Sequence, residues 1–284
     1  MSGDWPNNRF PNNSGLCATI HSIWLFHFFT ILNYSAPFFN FLISITYNLK
    51  LYYHFWCDYL YAQSTMLENL KQQVYKASVK LAEQGLVIYS WGNASAIDRK
   101  SGLVVIKPTG ISYEDMVPGD MVVVDLNGNV ISGDLKPSSD TNTHLILYQN
   151  FPLIGSIMHT HSEYASCWAQ AGLGIPPLGI THANFFNGEI PCTRPLSVQQ
   201  MNRNIETETG KIIVETFDTA GLDPMRIPGV LVWGHGPFCW GKDVQSAFDH
   251  TVVIEKVARM AYRTRQLNPV NPVGKKFLDR YFFD

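Results

Sequence analysis

Three of the nine histidines in this 284-residue chain are placed for chemistry. His159-Thr160-His161 ends an apolar run that begins at Ile154. In a strand, residues i and i+2 point to one face, so two imidazoles would stand together there. Such a pair is half of a metal site, and strand ends are where active sites collect. His235, in Trp233-Gly234-His235-Gly236-Pro237, follows a second apolar run, Val230 to Trp233. Its glycines let backbone and ligand approach closely, although on spacing alone a turn histidine is the simpler reading. Asp140 offers a carboxylate, with helix N-capping as its common alternative use. Three imidazoles and one carboxylate suit zinc or a similar divalent ion, which could polarise a carbonyl. Of the other histidines, three lie in the first 65 residues. His144 and His250 sit on helical segments and read as solvated or capping, and His182 reads as structural.

Two further segments suit an anion. Lys107-Pro108-Thr109-Gly110 offers a cation, a hydroxyl and an accessible amide. Ser138-Ser139 stands just before a predicted helix, where hydroxyls and free amides bind phosphate. Trp91-Gly92-Asn93 is a glycine turn whose amide side chain could grip a substrate. Together with the histidines they point to a small phosphorylated ligand beside a metal.

The elements that must position these groups read as one α/β domain from Met66 to Asp284. Leu67, Leu70, Val74, Ala77, Val79 and Leu81 have helical spacing, and Gly85 ends the pattern. Strands are expected at Leu103–Ile106, Met121–Leu126, Ile154–His161 and Val230–Trp233, with an Asn127-Gly128 hairpin into Val130-Ile131. Helices are expected at Thr141–Asn150, capped by Ser139 or Asp140, at Glu163–Ala171 and at Ser246–Leu267.

The chain carries 21 basic and 23 acidic residues, a net charge of −2, which argues against a nucleic-acid partner. Five cysteines without a C-x-x-C pair argue against a disulfide framework or a cysteine zinc finger. The first 65 residues differ from the rest. Only Asp4, Arg9, Lys50 and Asp58 are charged there, and no charge occurs from Phe10 to Leu49. Two apolar runs, 18–32 and 38–46, are shorter than the roughly 20 residues of a membrane span. A signal peptide is disfavoured by the weak cleavage pattern around Ser35-Ala36. The stretch reads as a gene-model extension ahead of a start at Met66, with a membrane anchor as the competing reading. The expected location is the cytoplasm, or a membrane if the extension is genuine.

The ordered set Trp91-Gly92-Asn93-Ala94-Ser95-Ala96, Ile106-Lys107-Pro108-Thr109-Gly110, Lys136-Pro137-Ser138-Ser139-Asp140-Thr141, His159-Thr160-His161-Ser162, Thr181-His182-Ala183 and His235-Gly236-Pro237-Phe238 resembles the class II aldolase/adducin-like family. Within it, the chain closely resembles the L-ribulose-5-phosphate 4-epimerases, from Met66 to about Gln266. The resemblance implies a three-layer α/β/α domain with a mixed, largely antiparallel sheet. It also implies one zinc ion per subunit and a homotetramer with sites between subunits. Metal ligands map to Asp140, His159, His161 and His235. Substrate contacts map to Gly92, Asn93, Thr109, Gly110, Ser138 and Ser139, with Lys107 nearby.

The implied reaction interconverts L-ribulose 5-phosphate and D-xylulose 5-phosphate by retro-aldol cleavage between C3 and C4, with zinc on the C2 and C3 oxygens. Aspartate at position 140, where the related fuculose-phosphate aldolases have a glutamate base, favours the epimerase branch. The family's acid/base aspartate is replaced by Asn184, and the chain stops at Asp284, before the family's tyrosine-bearing tail. Alternative implications are a zinc sugar-phosphate aldolase, or a non-catalytic relative that binds zinc and a sugar phosphate.

Overall fold

A computed structural model describes residues 65–282; the expectations for the aromatic-rich N-terminal stretch lie outside them. Helix α1 covers 65–83 and stops at Gly85, which takes a positive φ of 65°. Seven strands follow: β1 Asn93–Asp98, β2 Leu103–Ile106, β3 Val122–Val124, β4 Val130–Ser132, β5 Ser156–His159, β6 Gly229–Val232 and β7 Gly236–Gly241. Between and after them come α2 Thr141–Asn150, α3 Glu163–Ala171, α4 Ile180–Ala183, α5 Val198–Met201, α6 Ile205–Ala220, α7 Val244–Leu267 and α8 Lys275–Tyr281. The strands form one sheet in the order β4-β3-β2-β1-β5-β7-β6, every named pair antiparallel.

Period-2 alternation builds two cores on opposite faces of this sheet. Val104, Ile106, Val122, Val124 and Ile157 join the larger core with residues of α2, α3, α6 and α7. Ala94, Ala96, Val105, Val123 and Met158 join the smaller one with Val74, Ala77 and Leu81 of α1. The result is the three-layer α/β domain the resemblance implies, its sheet antiparallel at every named strand pair, with one isolated parallel bridge from Cys192 to Leu231. The described residues contain no helix long and apolar enough to cross a membrane.

β1 and β7 were not expected, because their sequences, NASAID and GPFCWG, are rich in small or turn-forming residues. Both are interior strands, where tertiary pairing outweighs weak intrinsic preference. α6 was not expected either. β5 stops at His159 instead of His161, because the chain turns there to enter α3 at its N-cap, Ser162. α7 begins at Val244, two residues early, where the Asp243 carboxylate accepts from the Ser246 amide.

Candidate metal centre

The cluster forms where β1, β5 and β7 end side by side. Asn93 pairs with His159, and His159 pairs with Phe238. This register sets the start of β1, the end of β5 and the start of β7 at one edge. Close approach demands glycine at two points. A Cβ on Gly236 would lie 2.6 Å from Thr160 O, and one on Gly92 would lie 2.8 Å from His159 O. Gly92 also has φ 86°, a conformation costly for any other residue.

His159, His161 and His235 converge so that one ring nitrogen of each lies within 4.8 Å of the others. Ring centroids are 4.5 Å apart for His159–His235 and 4.9 Å for each pair with His161. His159 is sealed from water; its Nδ1 donates to Pro237 O at 2.9 Å. That bond leaves the buried Nε2 a bare lone pair with no hydrogen-bond partner. An imidazole with one nitrogen tied to a carbonyl and the other unpaired has the arrangement of an oriented metal ligand. Phe238 stacks on the ring at 4.1 Å and holds its plane.

Burial holds all three imidazoles below the usual histidine range, and mutual repulsion adds to it at His159 and His161. They are therefore neutral at pH 7, the form that binds metal. Asp140 sits against this group: burial raises its pKa, while His235 and a 2.7 Å hydrogen bond from Asn93 Nδ2 oppose the rise. Asp140 occupies the N-cap position of α2, yet its side chain makes no capping bond. Its carboxylate is held by Asn93 and faces the field of His235. Burial against a hydrogen-bonding amide and an imidazole, with three neutral nitrogens converging nearby, fits a divalent cation.

The two anion segments lie together. Pro108 bridges Pro137, Thr109 N donates to Lys136 O at 3.0 Å, and Ser138 N donates to Lys107 O at 3.2 Å. Thr109, Gly110 and Ser139 are exposed, Ser138 is buried, and all flank the start of α2. Lys107 is placed differently from a substrate contact. It is buried, with Nζ 3.2–3.5 Å from the carbonyls of Ser90, Pro108 and Ile111 and 4.6 Å from the Tyr113 ring centroid. Burial lowers its pKa to about 8. Tyr113 Oη lies within hydrogen-bond reach of Trp91 O and Gly92 O, so the pair locks the 90–92 turn against the cluster.

His144 is a correction. It is neither solvated nor capping but fully buried, with Nδ1 2.7 Å from Ser95 Oγ. His250 is also no solvated residue: its Nδ1 donates to Trp240 O at 2.7 Å. His182 is structural, its Nε2 2.7 Å from Gly188 O. Asn184 is not brought into the cluster. With its nitrogen turned toward them, it donates to Tyr281 O at 2.8 Å and Ile180 O at 3.3 Å. Sequence reasoning missed Glu206, whose charge reaches both Asp140 and His235. In the first turn of α6 it reads as an ordinary partner of the helix dipole, and no motif surrounds it.

The family model for the class II aldolase and adducin N-terminal domain matches residues 72–262. The chain belongs to this family. The L-ribulose-5-phosphate 4-epimerase UlaF of Salmonella paratyphi B is 51% identical over 217 residues, covering 76% of this chain and 94% of its own length. The protein of the same name from Salmonella typhi matches to the same extent. Among solved structures, an L-fuculose 1-phosphate aldolase superposes with a TM-score of 0.64 at 26% identity, over 75% of this chain and 94% of that one. The L-fuculose-1-phosphate aldolase of Thermus thermophilus shares the fold, with a TM-score of 0.56 at 20% identity, over 72% and 98%. Membership in the class II aldolase family accounts for the α/β layers, and members of this family typically use a divalent metal.

Proposed function

We propose that this chain is a metal-dependent L-ribulose-5-phosphate 4-epimerase. The observation that carries the reading is the convergence of three neutral imidazoles, one with a buried unpaired nitrogen, in a chain 51% identical to enzymes of that name. Asp140, His159, His161 and His235 would hold the ion, and this donor set favours zinc. Bound there, the metal would supply Lewis-acid stabilisation to substrate oxygens.

The chain's own residues do the rest. The C4 proton of the substrate is not acidic, so inversion requires the C3–C4 bond to break and re-form. The paired loops at Thr109-Gly110 and Ser138-Ser139, with Gly92 and Asn93 beside them, would grip the phosphate. They would retain the two-carbon phosphorylated fragment while its aldehyde turns to present the other face. Asn93 orients the Asp140 carboxylate through its amide. Lys107 acts from behind, holding the 90–92 turn in place. Asn184 faces Tyr281 O and Ile180 O instead of the cluster, and its amide exchanges no proton at neutral pH. A cytoplasmic homotetramer with sites between subunits belongs to the same proposal; the exposed Tyr89 and Trp91, the latter 5.8 Å from the His161 ring, offer apolar surface for a neighbour.

The test is a coupled assay of the zinc-loaded full chain, with L-ribulose 5-phosphate as substrate and D-xylulose 5-phosphate as product. Turnover that chelator abolishes and zinc restores is expected. Turnover unaffected by chelation, or none with zinc bound, would overturn the reading.

A further inference from the structure

His144 lies one turn beyond Asp140 on α2, and its amide donates to Asp140 O at 3.1 Å. Ser95 lies two residues beyond Asn93 on β1, so the two side chains share a face of that strand. Two rungs therefore join the same strand to the same helix: Asn93 to Asp140 at 2.7 Å, and Ser95 to His144 at 2.7 Å. The first rung belongs to the cluster, and the second is sealed in the core. Tyr148 Oη lies 2.7 Å from the same Ser95 hydroxyl, and Arg99 closes the far end of the helix on the carbonyls of Tyr148, Phe151 and Ile154.

The His144 ring also meets Phe238 edge-on, 6.0 Å between centroids, and the Phe238 ring lies 4.1 Å from His159 at 19°. His144 is thus one contact from Asp140 along the helix and one ring from His159 across the sheet. Its Nε2 is buried without a partner. An unpaired buried polar atom costs about 1–3 kcal/mol, so an apolar side chain would serve the core better. Burial pushes its pKa down to about 3, which keeps the ring neutral.

We propose that His144 is a positioning residue that sets two members of the cluster at once. It fixes the Asp140 carboxylate through the paired strand–helix rungs, and the His159 ring through Phe238. The inference rests on the reading of Asp140 and the three histidines as a metal centre.

The test is Co²⁺ titration of the full chain, followed by visible absorption. His144→Phe keeps a ring in the core and removes the rung; Ser95→Ala removes the same rung and leaves the histidine, and carries the test if His144→Phe does not fold. Each should weaken Co²⁺ binding 10–100-fold, the range for lost supporting partners of ligands. Each should also shift the cobalt bands, with the far-ultraviolet circular dichroism of the metal-free protein unchanged. Tyr148→Phe, which trims the same network away from Asp140 and Phe238, should lower thermal stability and leave affinity and bands as in the wild type. Unchanged affinity and bands in a folded rung variant would overturn the inference, as would an equal loss in Tyr148→Phe. A wild-type chain that takes up no Co²⁺ would instead reject the metal centre itself.

Discussion

Two histidine-bearing regions of this molecule hold the same residue types in different arrangements. At the joined ends of β5 and β7, His159, His161 and His235 turn ring nitrogens toward one another, and the buried Nε2 of His159 has no partner. Between Thr181 and Asn187, His182 is bound to Gly188 O, Asn184 faces two carbonyls, and Asn187 Nδ2 donates to Asp279. The first region leaves lone pairs free for a cation. The second ties α4 to α8; the buried Nδ1 of His182 is unpaired there too, but among the described residues it joins no group of converging ligand atoms. Lys107 falls with the second kind: a buried cation turned onto its own backbone carbonyls. A motif reveals which residue types are present; their convergence in space, together with hydrogen bonding, decides which of them are available for chemistry.

That contrast can be broken from either side. The largest effect is expected at the cluster, where His161→Ala should lower turnover by on the order of 10³-fold or more, because it removes one of the proposed metal ligands. Steady-state rates at saturating zinc would measure it, and near wild-type turnover would place the metal elsewhere. Next is the pH response of the structural histidine. Burial holds His182 at about 4 against 6.5, so the unfolded chain binds its proton first as pH falls. Stability is full above about pH 6.5 and is lost as pH drops toward 4. His182→Gln keeps a donor for Gly188 O and should flatten that loss by up to about 1.4 kcal/mol per pH unit. Urea denaturation at pH 6.5, 5.5 and 4.5 would show it.

Lys107→Met should cost about 2 kcal/mol by leaving carbonyls of Ser90, Pro108 and Ile111 unpaired, and should leave zinc affinity unchanged. A raised KM with unchanged melting temperature would return Lys107 to the role of a substrate contact. The smallest effect is expected at Asn184→Asp. It removes two donated hydrogen bonds and sets a carboxylate against carbonyl oxygens, at about 1 kcal/mol. Faster amide exchange across Lys275–Tyr281 would report it; unchanged exchange there would remove Asn184 as the tie.

Much of this arrangement is legible in the sequence. His159 and His161 stand out through an apolar run ending in alternate histidines, although the strand ends at His159 and His161 lies beyond it. His235 was ambiguous because Gly234 and Gly236 read as a turn. Gly236 instead begins a strand, and its missing Cβ is what lets β7 lie against Thr160. β1 escaped for a similar reason: Asn93-Ala94-Ser95-Ala96 has weak strand character, and only its place between β2 and β5 makes it extended. The availability of each group was not legible. Nothing in Lys107-Pro108-Thr109-Gly110 says that the lysine turns inward, and nothing near His144 reveals the Ser95 hydroxyl, 49 residues away.

The most direct test of the central claim is calorimetric zinc titration of the metal-stripped full chain beside His235→Ala and Lys107→Met. One tight site per chain is predicted for the wild type and for Lys107→Met, with that site lost in His235→Ala. Equal binding in all three, or no binding in the wild type, would contradict the assignment of the three converging histidines as the metal centre.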